Sequence, residues 1–436
     1  MFYLNRDEEL TINLLQKMIG RFNIDVAPKL RKYKDYYDGK QDIMKKRYTD
    51  ETKPCNRTVI NYVKSICDSY CGYIATPGYI SYGSDDDIDV IMDILRYNDY
   101  QAEDANFLLD AIVYGVAAEL MYNDNNGKTR FRLINPTQCF GIYDDSLTGD
   151  LMYFVRFYEA SQWDETSKYY VDVYSDYDIK HYTMSGQNGY LTFLYAEPHY
   201  FSQCPANVFY LPDEKPIFDC IISLQDAANE LVSSEIDDYQ AFVDAYLTLI
   251  GVDADNDDVA AMKENRVLVL PENAAAQWLT KNTNDTQIEN ILKRIHDSIY
   301  RISACVDFNS ETLMNGVSSG IAIRYKMSGQ ENRAGIIEGC MKKALQRRIE
   351  IISGIASLKL GEEVFRDIRI EFKRNIPEDY TSMITLINGL KGTVSDATLI
   401  GQLPFIPDVN AELEAVKRQK EENVAMYNFA AGSDEE

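Results

Sequence analysis

The run DFNSETLMNGVSSGIAIRYKMSGQENRAGIIEGCMKKALQRRIEIIS, residues 307–353, decides how the chain is read. Its opening, from Asn309 to Gly320, is small and polar, and its glycines allow backbone angles closed to other residues. Behind it Ile337, Met341, Leu345, Ile349 and Ile352 recur on one face of an α-helix. Ser318 or Ser319 is placed to cap that helix. A helix over 320–353 would be roughly 50 Å long at ~1.5 Å per residue. Gly329, Gly335 and Gly339 inside it predict a kink or a close helix contact. The same stretch holds seven basic residues (Arg324, Lys326, Arg333, Lys342, Lys343, Arg347, Arg348) against three acidic ones (Glu331, Glu338, Glu350). The whole chain carries a net charge of -25. A basic rod in so acidic a protein reads either as a solvated helix face or as a surface kept for a polyanion.

Around this stretch the composition is that of a folded protein. The chain has 436 residues, 45% hydrophobic and 26% charged, enough for two or three cores. It contains no apolar run of about 18 residues, so no transmembrane helix is expected. The first residues, Met1 to Glu9, lack the apolar core of a signal peptide, which predicts a protein that stays in the cytoplasm that made it. Eight cysteines are scattered, and Cys67 and Cys71 have no second pair or nearby histidine to complete a zinc site. With only three histidines, neither a metal centre nor His-based catalysis is expected. The acidic balance argues against a protein that clamps nucleic acid over its whole surface. It allows one whose acidic wall and few cationic rings keep a sliding polyanion centred.

In chain order, residues 1–27 predict an amphipathic helix closing near Gly20. From Pro28 to Arg57 ten basic residues face five acidic ones, a nucleic-acid patch or a solvated helix–loop–helix. Asp85, Asp86 and Asp87 read as acids at a helix N-terminus. A helix is expected over 100–121. From 118 to 211 the period changes to two, with turn signals between tyrosine-rich runs, which predicts an antiparallel meander. Residues 217–251 predict a long helix with Ala228, Val232, Ile236, Tyr239, Val243, Tyr246 and Ile250 on one face, and six acids with no base between Leu224 and Ile250. A compact insertion follows at 252–284, with a strand pair over 266–270 and 276–280. A second helix over 285–306 carries Lys293, Arg294 and Arg301. A strand at 367–372, helices at 380–390, 395–401 and 409–426, and an acidic tail close the chain.

Chemical motifs are missing. There is no Gly-x-x-x-x-Gly-Lys-Ser/Thr phosphate loop and no Gly-x-Ser-x-Gly elbow. The adjacent Asp144 and Asp145 read as turn residues rather than a hydrolytic pair. No enzymatic activity and no cofactor are expected.

Two blocks carry a family resemblance. The first is Tyr36-Tyr37-Asp38-Gly39, Lys53-Pro54-Cys55-Asn56-Arg57 and Gly72-Tyr73. The second is Asp307-Phe308, Asn315-Gly316-Val317-Ser318-Ser319-Gly320-Ile321-Ala322, Tyr325-Lys326 and Arg347-Arg348. Asp110 to Ala117, Asn135-Pro136 and Phe405-Ile406-Pro407-Asp408 fit between and after them in order. Together they resemble the portal proteins of tailed bacteriophages, of the type common in phages of Gram-positive bacteria. The resemblance implies an α+β fold: a mixed wing (1–216), stem helices (217–251 and 285–308) around a small αβ clip (252–284), a tunnel loop (309–320), a long wing helix with a return strand (321–376), and a short helical crown with an acidic tail (377–436).

It also implies a function. The chain would form a ring of about twelve copies at one capsid vertex, pass double-stranded DNA inward and outward, and act as a virion component assembled in the host cytoplasm. Expected partners are the terminase large subunit, a head-completion or adaptor protein, and the major capsid and scaffolding proteins, with no membrane. The tunnel loop would be Asn309, Asn315, Gly316, Val317, Ser318, Ser319 and Gly320. Arg324, Lys326, Lys293, Arg294 and Arg301 are candidate DNA contacts. Lys263, Arg266, Glu272 and Trp278 are candidate terminase contacts on the clip. For Lys293, Arg294 and Arg301, ion pairs with the acidic helix at 224–250 are an equal expectation. Two other readings stand beside this one: a different virion structural or scaffolding protein without a DNA channel, and a carboxylate enzyme on the tyrosine-rich sheet.

Overall fold

The computed structural model describes residues 2–47, 54–84, 87–159, 168–186, 189–243, 246–250, 275–279, 285–308, 320–360, 368–374, 380–400, 409 and 412–420. Of these, 54% are helical and 23% are in strands, a mixed helix-and-sheet protein. Two compact units divide the chain: 1–309 with 326–375, and 310–325 with 376–436.

The first unit opens differently from the expectation. Phe2–Leu4 is a strand, β1, and the helix α1 spans only Ile12–Arg21. Thr11 caps it by accepting the Leu14 amide at 3.3 Å, which fixes its start past Leu10. Gly20 does not end it: the chain continues through a π-helical turn, Phe22–Val26, into α2, Ala27–Tyr37. Next come α3 (Tyr62–Ile74), β2 (Ile80–Gly83), α4 (Asp89–Tyr97) and α5 (Tyr100–Tyr114). The expected helix over 100–121 therefore stops seven residues early. Gly115 takes φ +80° there, a left-handed C-cap, and β3 (Val116–Asn123) begins at once.

The period-two region forms two sheets rather than a single meander. Strands β4 (Thr129–Ile134) and β10 (Ala206–Tyr210) flank β3 in a three-stranded antiparallel sheet. The other is six-stranded, in the order β1-β5-β6-β7-β8-β9, with β5 (Cys139–Asp144), β6 (Leu151–Glu159), β7 (Lys168–Tyr174), β8 (Asp178–Ser185) and β9 (Leu191–Pro198) running as the expected antiparallel meander. β1 joins its far edge parallel to β5. Ala118, Leu120, Cys139, Phe154, Tyr174, Cys204 and Ala206 form a buried apolar cluster from both sheets.

Helix α6 is Ile222–Val243, shorter than the expected 217–251. Tyr246–Ile250 is instead a strand, β11, antiparallel to β12 (Ala275–Leu279). Its β-branched and aromatic composition suits a pleated ladder. The strand expected at 276–280 thus exists as β12, paired with β11; its expected partner at 266–270 lies outside the described residues.

The second correction on α6 concerns its buried face. Val232 and Ile236 are only half-buried and Tyr239 is 73% exposed. Gln225, Asn229, Ser233 and Asp237, spaced four apart, are buried instead. They hold the backbone of the extended segment 56–61 and the first amide of α3. Asp237 accepts the Asn56 amide at 2.6 Å, Ser233 that of Thr58 at 3.0 Å, and Asn229 that of Ile60 at 2.9 Å; Gln225 bonds both Ile60 and Tyr62. A segment with no strand or helix of its own needs such partners for its amides.

Helix α7, Asp285–Ser303, packs along α6. Helix α8 runs from Gly320 to Leu360, 41 residues. Ile337, Met341, Leu345, Ile349 and Ile352 are all buried, as their spacing predicts. Of its four interior glycines, Gly354 makes the closest approach, with Ser202 Oγ 2.5 Å from where its Cβ would stand; Gly329 meets the Ala304 methyl at 3.8 Å, while Gly335 and Gly339 have no neighbour within 4 Å. The return strand β13, Arg369–Phe372, pairs with β2 in a two-stranded sheet of its own and not with the larger sheets. In the second unit, α9 (Tyr380–Leu390) and α10 (Asp396–Ile400) match the expected helices, with Leu399 buried.

Candidate nucleic-acid interface

Helix α7 presents the clearest cationic surface. Lys293, Arg294 and Arg301 are exposed, and none has an ion pair among the described residues. Arg294 and Arg301 are seven residues apart, two turns, so they share one face about 10 Å apart. Among the described residues no ion pair joins them to α6. Three α6 acids turn toward the N-terminal segment: Glu230 meets Lys46 at 2.9 Å, Asp237 meets Lys46 at 3.7 Å, and Asp226 accepts from Tyr36 at 2.7 Å.

Similar pairings engage part of the N-terminal basic segment, while Lys29, Arg31, Lys40 and Arg47 stay exposed. Lys32 and Lys45 each meet Asp42 at 2.9 Å, Lys34 pairs with Asp38, and Lys64 lies 3.5 Å from Asp68. The Lys45 and Lys32 ammoniums outweigh the burial of Asp42 and hold its carboxyl far below the usual range. The tyrosines there are part of the core, with Tyr36 buried and its phenol pushed up by burial and by its bonds to Asp226 and Asp42.

Helix α8 proves to be basic for two reasons. Lys326, Lys342 and Lys343 are exposed, and Tyr325 is 77% exposed. Three arginines serve the fold. Arg333 donates to the carbonyls of Ser303 (3.0 Å), Ile302 (3.4 Å) and Ile217 (2.5 Å), closing the C-terminal end of α7. Arg347 bonds Gln203 and Glu350. Arg348 is fully buried. Its Nε lies 2.9 and 3.0 Å from the two Glu119 oxygens, one Nη reaches Glu119 at 2.8 Å, and the other pairs with Asp104. The guanidinium stands over Phe131 at 4.4 Å and Phe107 at 5.5 Å. Asn207 donates to Glu119 at 2.7 Å and to the Ala344 carbonyl at 2.8 Å, and Tyr82 donates to Asp104 at 2.7 Å. Burial opposes the Arg348 charge, but Glu119 and Asp104 outweigh it and raise its pKa.

A second clamp ties the return segment to α8. Arg374, just past β13, donates to Glu331 (3.0 Å) and Glu338 (2.6 Å), and Tyr73 donates to Glu331. Burial pushes the Glu331 carboxyl up, yet Arg374 and Tyr73 win and lower it. Sequence reasoning missed both clamps. The signal for this one is the i, i+7 spacing of Glu331 and Glu338, two turns apart on one face.

The remaining candidates divide. Asn309, Asn315, Gly316, Val317, Ser318 and Ser319 lie outside the described residues, and Gly320 is the first residue of α8. The side chain of Arg324 is likewise outside them. Lys263, Arg266 and Glu272 lie outside too, while Trp278 sits in β12 opposite Leu247. Asp144 is the last residue of β5 rather than a turn residue, and its side chain caps the turn that follows: it accepts from Ser146 Oγ (2.8 Å) and the Asp150 amide (3.1 Å), which hold its carboxyl low. Among the described residues no group of three metal-ligating side chains converges, and no helix is long and apolar enough to cross a membrane.

No curated protein matches the chain. A family model described as "Phage portal protein, SPP1 Gp6-like" matches residues 23–426, nearly the whole sequence. The chain belongs to the phage portal protein family, SPP1 Gp6-like.

Proposed function

We propose that this chain forms a closed ring at one vertex of a phage capsid and that double-stranded DNA passes through the ring during packaging and ejection. The family match over 23–426 carries the reading. The surface of α7 supports it: the helix is amphipathic, yet Ile291 and Ile302 stay 36% and 46% exposed in the single chain, as a helix awaiting a neighbouring subunit would be. In this reading α6 and α7 are the stem, β11 and β12 belong to the clip that docks terminase and later a head-completion protein, and α9 and α10 belong to the crown. Lys293, Arg294 and Arg301 become rings of charge that touch phosphate transiently.

The test is a packaging assay with Lys293→Ala/Arg294→Ala/Arg301→Ala. Removing three phosphate contacts per subunit is expected to lower nuclease-protected DNA per particle about ten-fold, with ring mass unchanged. Lys326→Ala is expected to act in the same direction, less strongly. Wild-type packaging by the triple variant would remove the α7 cations from the tunnel. A scaffolding protein without a channel would show the same DNA content in every variant.

A further inference from the structure

We infer that strand β9 is a subunit-joining edge, onto which a second copy of this chain adds a strand; the inference rests on the ring proposed above. Among the described residues β9 closes the six-stranded sheet and has a strand neighbour, β8, on one side only. Its free side presents the outward half of its backbone N–H and C=O groups, a template for another strand. Eight residues long, it spans roughly 26 Å at ~3.3 Å per residue. Leu191 is buried, and the seven residues from Thr192 to Pro198 are all exposed.

Edge strands left to water are usually guarded by lysines, prolines or bulges. β9 has weak guards. One register shift opposite His181 and Tyr182 leaves Leu194 as the extra residue of a bulge. A single charge, Glu197, and the closing Pro198 stand at its far end. Apart from Thr192, the rest is apolar or aromatic. Tyr190 is 84% exposed, Phe193 48%, Leu194 45% and Tyr195 54%, and Tyr177 (64%) and Tyr200 (71%) flank the strip. With ~150–250 Å² for each aromatic side chain, this strip offers on the order of 700 Å². That is close to the ~800 Å² per partner of a stable protein interface.

The occupant is a second copy because of what a ring demands. A ring closes only through a heterologous contact, in which one patch meets a different patch on the next subunit. The six-stranded sheet has its two free edges, β9 and β1, on opposite sides, so an edge of one copy can meet a different surface of the next. β-strand addition supplies backbone bonds for register and the tyrosines supply area.

The test compares the full-length wild-type chain with Tyr190→Lys/Leu194→Lys. Both side chains are exposed, so wild-type circular dichroism and melting temperature are expected. Mass by light scattering is expected to show rings for the wild type and at least about ten-fold weaker association for the variant. Hydrogen exchange is expected to find the amides of 192–197 slowed in the ring and fast in the dissociated variant. Variant rings of wild-type stability, with fast-exchanging β9 amides in the ring, overturn the inference and leave the portal reading intact. A two-fold dimer through paired β9 strands overturns it too. A wild-type chain that never associates overturns both.

Discussion

Replacing Arg348 with alanine is expected to destabilise the fold by about 3–5 kcal/mol, the cost of leaving a buried carboxylate pair without its cation. Asp104 and Glu119 are both buried, and their nearest counter-charge is this one guanidinium. Its loss also strips the face of Phe131 of its stacked cation. The three ions join α8 to β3 and α5, 229 and 244 residues away in sequence, so their separation loosens α8 from both. Denaturant unfolding followed by circular dichroism measures the effect. Arg348→Ala/Asp104→Leu/Glu119→Leu is expected to recover part of the loss, since a buried ion cluster contributes less net stability than its half-broken form costs. A single variant within about 1 kcal/mol of wild type would show that water reaches the carboxylates.

Gly115→Ala is expected to cost about 2–4 kcal/mol, from a left-handed backbone and a steric clash together. A Cβ at this position would stand 2.6 Å from the Lys215 carbonyl carbon and 2.7 Å from the Glu214 oxygen. Those are backbone atoms of a segment already tied back to the same place, with Leu211 N on Gly115 O at 3.0 Å and Ile217 N on Ile112 O at 3.3 Å. Gly127 is the control. It shares a positive φ, +69°, but nothing lies within 4 Å of its added Cβ, so Gly127→Ala is expected to cost only about 1 kcal/mol. Equal losses at the two glycines would show that backbone strain alone matters and that the approach of 214–215 is not tight.

How far the sequence led depended on what each residue packs against. The stripe Ile337–Ile352 on α8 was legible because its partners are apolar, and apolar burial writes a helical period into the sequence. The face of α6 was not. Its partner is the bare backbone of 56–61 and the first amide of α3, and the residues that satisfy it, Gln225, Asn229, Ser233 and Asp237, look like a solvated face when only hydrophobicity is counted. The same i, i+4 spacing in polar residues was the available clue. Tyr246–Ile250 read as the end of a helix because a short apolar run fits both periods, and only its pairing with Ala275–Leu279 decides it. The charge of the α8 rod was visible, but not its use: the partners of Arg348 lie 229 and 244 residues away in sequence. On α7 the cations were visible in the sequence, but that Lys46 takes Glu230 and Asp237 of α6 came only from the structure.

In the proposed ring many copies of the chain enclose a hole. Light scattering of the purified chain, read beside negative-stain images of the same sample, tests it most directly. The account predicts closed rings with a central channel and, for about twelve copies of the 49.9 kDa chain, a mass of about 600 kDa. A monomer, or a compact oligomer without a hole, at every concentration tried would contradict it.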